Sequence, residues 1–169
     1  FNAITLGEAK ESSEIENIVT TFDELFRVMS LQKKDVASKE VLNYRQAILT
    51  GYRLLKERDS ISVNQIIDIH RIVEPSTGDI RRLPGTVIKN TKTGDIIHTP
   101  PQSKDEIEYY LSNLERYINY PDMEDIDPIL KMAIIHFQFE SIHPFSDGNG
   151  RIGRVLVSLY LYKANVINF

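Results

Sequence analysis

The chain has 169 residues, 41% of them apolar and 26% charged, which is the composition of a soluble globular protein long enough for one ordinary domain with a sizeable core. A net charge of −4 argues against a general nucleic-acid or membrane-surface binder, and the lack of cysteine excludes a disulfide framework and a thiolate site, which fits a reducing, cytoplasmic setting. No apolar run nears the length of a membrane span and the start carries no signal-peptide pattern, although a chain that opens on Phe1 rather than Met can have lost a leader.

Ile15, Ile18, Val19, Phe22, Leu25, Phe26 and Met29 recur at helical spacing and predict a first helix. A second amphipathic run covers about 39–57, with Val41, Leu42, Ala47, Ile48, Leu54 and Leu55, and a third covers about 63–73. The period then changes. Thr86-Val-Ile-Lys89 and Asp95-Ile-Ile-His-Thr99 are short β-type runs joined by polar Asn90-Thr-Lys-Thr-Gly94 and closed by Pro100-Pro101, which predicts a β-hairpin. Helices follow over about 105–120, 129–142 and 150–164; the middle one is rich in apolar residues and is expected to be central, with the last packing on it. The expected fold is a single, mostly α domain over 1–169 with an inserted hairpin, and no repeat, low-complexity tract or linker divides it.

The densest chemistry is His143-Pro-Phe-Ser-Asp-Gly-Asn-Gly-Arg-Ile-Gly-Arg154, which runs straight into the last helix. Gly148 and Gly150 permit unusual dihedrals and close approach to a ligand, and a helix beginning near Gly150 presents unpaired N–H groups to an anion. Arg151 and Arg154 lie on one face of its first turn, where two guanidiniums can clamp successive phosphates. Asp147 would repel phosphate unless a cation lay between them, and magnesium bound by one carboxylate plus phosphate oxygens is the usual arrangement. His143, mostly neutral at pH 7, can take a proton from an attacking hydroxyl; Pro144 and Phe145 read as structural.

This segment matches in full the pattern HxFx(D/E)GNGRxxR, and the chain resembles the Fic (filamentation induced by cAMP) domain. Its eight constrained positions, at about one-in-twenty usage each, make a chance match on the order of 10⁻⁸ per chain. The resemblance implies that His143 deprotonates a target hydroxyl, Asp147 holds Mg²⁺ against the phosphates of ATP, and Asn149 with the amides of Gly148 and Gly150 cradles the α-phosphate. It further implies that Arg151 contacts the β-phosphate and Arg154 the γ-phosphate, and that AMP passes to a Ser, Thr or Tyr hydroxyl of a target protein. Fic domains carry a flap where the hairpin falls, and Gly78-Asp-Ile-Arg81, Val87-Ile88 and Pro100-Pro101 resemble its surroundings. Such a flap, at about 86–99, would align an extended target segment as an added strand. Family members usually continue beyond a point like Asn165-Val-Ile-Asn-Phe169 with helix that completes the fold and the adenine pocket, so the base contacts stay unassigned.

Ser12-Ser-Glu-Ile-Glu-Asn17 matches (S/T)xxxE(G/N), the inhibitory pattern of the same family, with Ser12, Glu16 and Asn17 on the named positions. The resemblance implies an N-terminal inhibitory helix over about 12–32 in which Glu16 pairs with Arg154 and denies it to the γ-phosphate. A competing reading of the same residues is a capping box, Ser13-x-x-Glu16, that only starts a helix. Two alternatives to transfer use the same site: removal of AMP from a modified protein, with Glu16 orienting a water, and a nucleotide-sensing or interaction module whose chemistry is idle. His136 reads as a core or supporting group on an apolar helix, His70 and His98 fit no zinc spacing, and Tyr109, Tyr110, Tyr117 and Tyr120 read as packing and surface groups. No pattern specifies an oligomeric state.

Overall fold

The computed structural model describes residues 2–31, 35–120 and 126–168. In chain order these form α1 (Asn2–Ile15), α2 (Phe22–Leu31), α3 (Val36–Arg58), α4 (Val63–Val73), β1 (Ile88–Lys89), β2 (Ile96–His98), α5 (Lys104–Asn119), α6 (Pro128–Ile142) and α7 (Asn149–Lys163). The mostly helical architecture with one inserted antiparallel hairpin is as expected, and none of the described helices is long and apolar enough to cross a membrane.

Local chemistry accounts for most of the boundaries. Asp35 caps α3 by accepting the Ser38 amide at 2.7 Å, while Ser62 with Gln65 and Ser103 with Glu106 form full capping boxes on α4 and α5. Asp127 caps α6, whose first residue is Pro128, a position where the missing N–H costs nothing.

α3 is the hub, packing on α1, α2, α4 and α7, while α7 in turn packs on α6 and α4. Their contact is close because Gly51 has no side chain: a Cβ there would stand 2.9 Å from Leu159 Cδ1 and 3.3 Å from Ile69 Cδ1. Tyr44, Ile48, Ile69, Phe139, Ile152 and Leu156 lie within the core that these helices share.

Two expectations change. The predicted first helix is two helices with a break at 16–21, so the segment over 12–32, whose last residue lies outside the described residues, is not one continuous element. Asn17 takes a left-handed φ of 62°, its N–H bonds the Glu14 carbonyl at 3.0 Å, and the Ile18 N–H bonds the Ser13 carbonyl at 3.1 Å. That pair of bonds is a Schellman termination with asparagine in the left-handed position. Ser13 and Glu16 therefore stand at the end of α1, and the capping-box reading is overturned. α6, apolar on every face, buries Ile135, Phe139 and Ile142 but leaves Leu130, Ile134 and Phe137 exposed, so it covers the core rather than lying at its centre.

Candidate active site

α6 ends at His143, whose φ of 47° and ψ of 61° place it in the left-handed region; Pro144 then blocks a further helical turn. A non-glycine residue in that conformation costs on the order of 1 kcal/mol and needs support from its surroundings. Arg81 supplies it. This buried guanidinium donates from Nε to the His143 carbonyl at 2.7 Å and from Nη2 to the carbonyls of Ile142 at 3.3 Å and Pro101 at 2.6 Å. The end of α6 is thereby tied to the Pro100–Pro101 segment that leads out of the hairpin. His98 of β2 adds a second tie, from Nε2 to the Ser141 carbonyl at 2.9 Å.

The next residues close into a rigid ring. Asn149 Oδ1 accepts the Phe145 amide at 2.9 Å and Nδ2 donates to the Phe145 carbonyl at 2.8 Å, so the Asn149 side chain is engaged on both atoms within the loop. Phe145 is fully buried and stacks on His70, with ring centroids 3.7 Å apart. His70 Nε2 meets the Asp147 carbonyl at 2.9 Å. Gly148, at φ 78°, turns the chain into α7 without a capping side chain, so the amides of the first turn, which have no intrahelical acceptor, can serve as an anion seat at the positive end of the helix.

The two arginines have different partners. Arg151 is buried, with Nη2 on Glu74 Oε1 and Nη1 at 3.8 Å from Glu40, while its Nε and Nη1 make no hydrogen bond. Arg154 reaches the N-terminal segment: Nε donates to Ser12 Oγ at 2.6 Å, and Nη2 donates to the Ser12 carbonyl and to Glu16 Oε1, each at 2.9 Å. Glu16 also lies directly over the seat, since a Cβ on Gly150 would run into its carboxylate. Ser12, Glu16 and Arg154 thus meet although 142 positions separate the outermost two. Tyr44 of α3, fully buried and with its hydroxyl pushed up to about 12 chiefly by that burial, contacts Ser12 from the other side and Glu8 at 3.4 Å.

Asp147 is exposed and its Oδ1 accepts the Gly148 amide at 2.6 Å. Among the described residues no three His, Asp or Glu side chains form a self-sufficient metal site. One carboxylate at the mouth of an anion seat nevertheless fits magnesium, which takes its remaining oxygens from phosphate and water.

Residues 60–161 match the family described as Fic/DOC family, and residues 1–53 match Fic/DOC family N-terminal. The chain belongs to the Fic/DOC family. Over 133 residues it is 31% identical to Protein adenylyltransferase Fic of Nematostella vectensis, covering 78% of this chain and 30% of that protein. Over 111 residues it is 32% identical to Protein adenylyltransferase fic-1 of Caenorhabditis elegans, covering 66% and 21%. The chain therefore spans less than a third of the length of these relatives. The fold is similar to that of a Fic domain containing signaling protein from Bacteroides thetaiotaomicron (TM-score 0.81, 19% identity, 96% of this chain and 64% of that one). It is also similar to that of Fic-1 from C. elegans (TM-score 0.75, 23% identity, 94% and 48%).

In this Fic domain three supporting residues escape a sequence reading of the loop. His70 and Glu74 carry no motif of their own, and only their separation by one helical turn at the end of α4 hints at a shared task. Arg81 was visible only as the last residue of the stretch preceding the flap. His136 is half-buried where α6 crosses α7, its ring 3.2 Å from where a Cβ on Gly153 would stand, with the Glu140 carboxylate against the same point.

Two imidazoles and one carboxyl of the Fic site are tuned toward neutrality. Burial lowers the pKa of His143; the nearby charges of Arg81 and His98 lower it further, and the Glu140 carbonyl and Glu16 oppose the shift. Burial likewise lowers His70, against the pull of the Asp147 carbonyl. Both imidazoles are then neutral in the fold at pH values where the unfolded chain, with pKa near 6.5, already binds protons. Their contribution to stability is complete above that value and is lost as the pH falls from about 6.5 toward the folded-state pKa. Glu140, raised by burial, is one group acting in the opposite sense against the two imidazoles. The urea midpoint is accordingly expected to be lower at pH 5.5 than at pH 7.5; an equal or higher midpoint at pH 5.5 contradicts this electrostatic picture.

Proposed function

We propose that the chain carries the catalytic domain of a protein adenylyltransferase, held inactive by the segment 12–17. The observation that carries the reading is the placement of a neutral-tuned imidazole at the end of α6, one tight loop away from the anion seat of α7. His143 takes the proton from a Ser, Thr or Tyr hydroxyl of the target, whose oxygen attacks the α-phosphorus of ATP. The bond from that phosphorus to the bridging oxygen breaks, AMP stays on the target, and pyrophosphate leaves with the electron pair. The first-turn amides around Gly148, Asn149 and Gly150 receive the α-phosphate, Arg151 the β-phosphate and Arg154 the γ-phosphate. Asp147 is the residue that holds magnesium, which when bound neutralises charge on the phosphates.

The target enters along the hairpin. β1 and β2 form a two-stranded sheet whose residues are largely exposed, with edges free to accept an added strand, and a cleft of about 470 Å³ lies between the end of β2, α5 and α6. Regulation follows from the opposite end of the chain. With Arg154 bonded to Ser12 and Glu16, and the Glu16 carboxylate over Gly150, the γ-phosphate loses its guanidinium and meets a negative charge in its place. Asn17 serves by ending α1 so that Glu16 stands at its tip.

Incubation of the Glu16→Gly protein with Mg²⁺ and ATP followed by mass spectrometry tests the reading: an adenylyl adduct on protein supports it, whereas AMP release from a premodified protein, or ATP binding with neither reaction, contradicts it. Asp147→Ala is expected to remove the adduct and also the Mg²⁺ dependence of ATP affinity. Unaltered metal-dependent affinity in that variant refutes the metal role.

A further inference from the structure

His70 of α4 and Glu74, which caps the end of that helix, take no part in the reaction above and hold the loop from behind. His70 meets it at the Asp147 carbonyl, 2.9 Å from Nε2, and at the Phe145 ring. Glu74, one turn on, takes the Arg151 guanidinium, and its Cγ lies 3.1 Å from where a Cβ on Gly148 would stand. Both are enclosed: His70 is 0% exposed, and the Glu74 side chain 15%. His70 Nδ1 is buried without a partner, so the ring is the neutral Nε2–H tautomer and its single donor serves one carbonyl.

Glu74 is an odd choice for a phosphate site, because a carboxylate there repels the nucleotide, and a buried ion pair is weak grounds for stability. Its effect is geometric. With Nη2 fixed on Glu74 and Nη1 3.8 Å from Glu40, the Arg151 guanidinium keeps donors at Nε and Nη1 that make no hydrogen bond, and it is kept from following Arg154 to Glu16.

We propose that His70 and Glu74 are positioning residues that hold the Asp147–Gly148 turn and the Arg151 guanidinium in working geometry before a nucleotide arrives. The role rests on the adenylyltransferase reading. One guanidinium is thereby permanent, and the other, Arg154, is left to be switched.

The test uses the Glu16→Gly protein as parent, with kcat and KM for ATP measured beside hydrogen exchange of the amides at 148–151. His70→Leu is expected to lower kcat about tenfold or more and to speed that exchange, since loss of alignment far short of unfolding has effects of this size. His70→Gln, whose amide nitrogen falls close to the position of Nε2, is expected to recover most of both. Glu74→Gln is expected to lower kcat while KM for ATP stays level or falls, because a negative charge beside the phosphates has gone. Parent-like exchange in His70→Leu, a His70→Gln protein no better than His70→Leu, or an unchanged kcat in Glu74→Gln each overturns the proposal. Should His70→Leu fail to fold, the Glu74→Gln arm decides. A parent that transfers no AMP at all sinks the functional reading, and the exchange measurements then decide the positioning role by themselves.

Discussion

Replacing His143 by Ala is expected to lower AMP transfer by roughly 10²-fold to 10⁴-fold, the range that a positioned general base supplies. The imidazole acts on the attacking hydroxyl, and the phosphates are held by the first turn of α7 and by the arginines, so ATP affinity should be nearly unchanged. The substitution also replaces a left-handed residue that ends α6, but the hydrogen bonds that hold this turn come from Arg81 to backbone carbonyls and survive the loss of the side chain. A small stability loss is therefore expected, far below what would account for the fall in rate. Equilibrium binding of ATP, single-turnover transfer and a thermal melt on the same preparation check all three parts. Transfer at the wild-type rate in His143→Ala removes the residue from the role of base.

Glu16→Gly is expected to raise transfer at least tenfold. The carboxylate makes one hydrogen bond to Arg154 and lies over Gly150, at the place where the γ-phosphate would otherwise collect a guanidinium and helix-end amides. A tenfold gain requires relief of only about 1.4 kcal/mol of interference in the transition state. A close ion pair that is partly screened from water can supply that much, even though exposed pairs contribute little to stability. Glu16 is 38% exposed and follows the last residue of α1, so its removal leaves the Schellman bonds of Asn17 and Ile18, both backbone bonds, in place. Arg154 would retain Ser12 at two points, so the released state is reached by loosening α1 from α7 as well as by losing one carboxylate.

How far the sequence could be read depended on whether the signal was local. α3 to α7 follow from apolar residues at helical spacing, all within a few positions of one another. α1 gave no such signal, because its buried face is made of Thr5, Leu6, Ala9, Ser12 and Ser13 and carries little hydrophobic contrast. The break after it was hidden for the reverse reason, since Ile15, Ile18 and Val19 continue a helical period across Asn17, which ends the helix through its backbone conformation. The loop from His143 to Arg154 was legible because base, carboxylate, glycines and arginines are contiguous. The pairing of Arg154 with the segment at Ser12 and Glu16 was expected from the family pattern, but the partner of Arg151 was not: Glu74 stands 77 positions away, and only the packing of α4 on α7 brings it in.

The most direct measurement of the central claim is labelling with ATP and Mg²⁺ of the wild-type chain, Glu16→Gly, and the double variant Glu16→Gly/His143→Ala, side by side and with folding checked for each. The account predicts faint label on protein in the wild type, strong label in Glu16→Gly, and none in the double variant, with the label identified as AMP. A folded Glu16→Gly protein no more active than wild type on itself or on any added protein, or one whose label persists without His143, would contradict it.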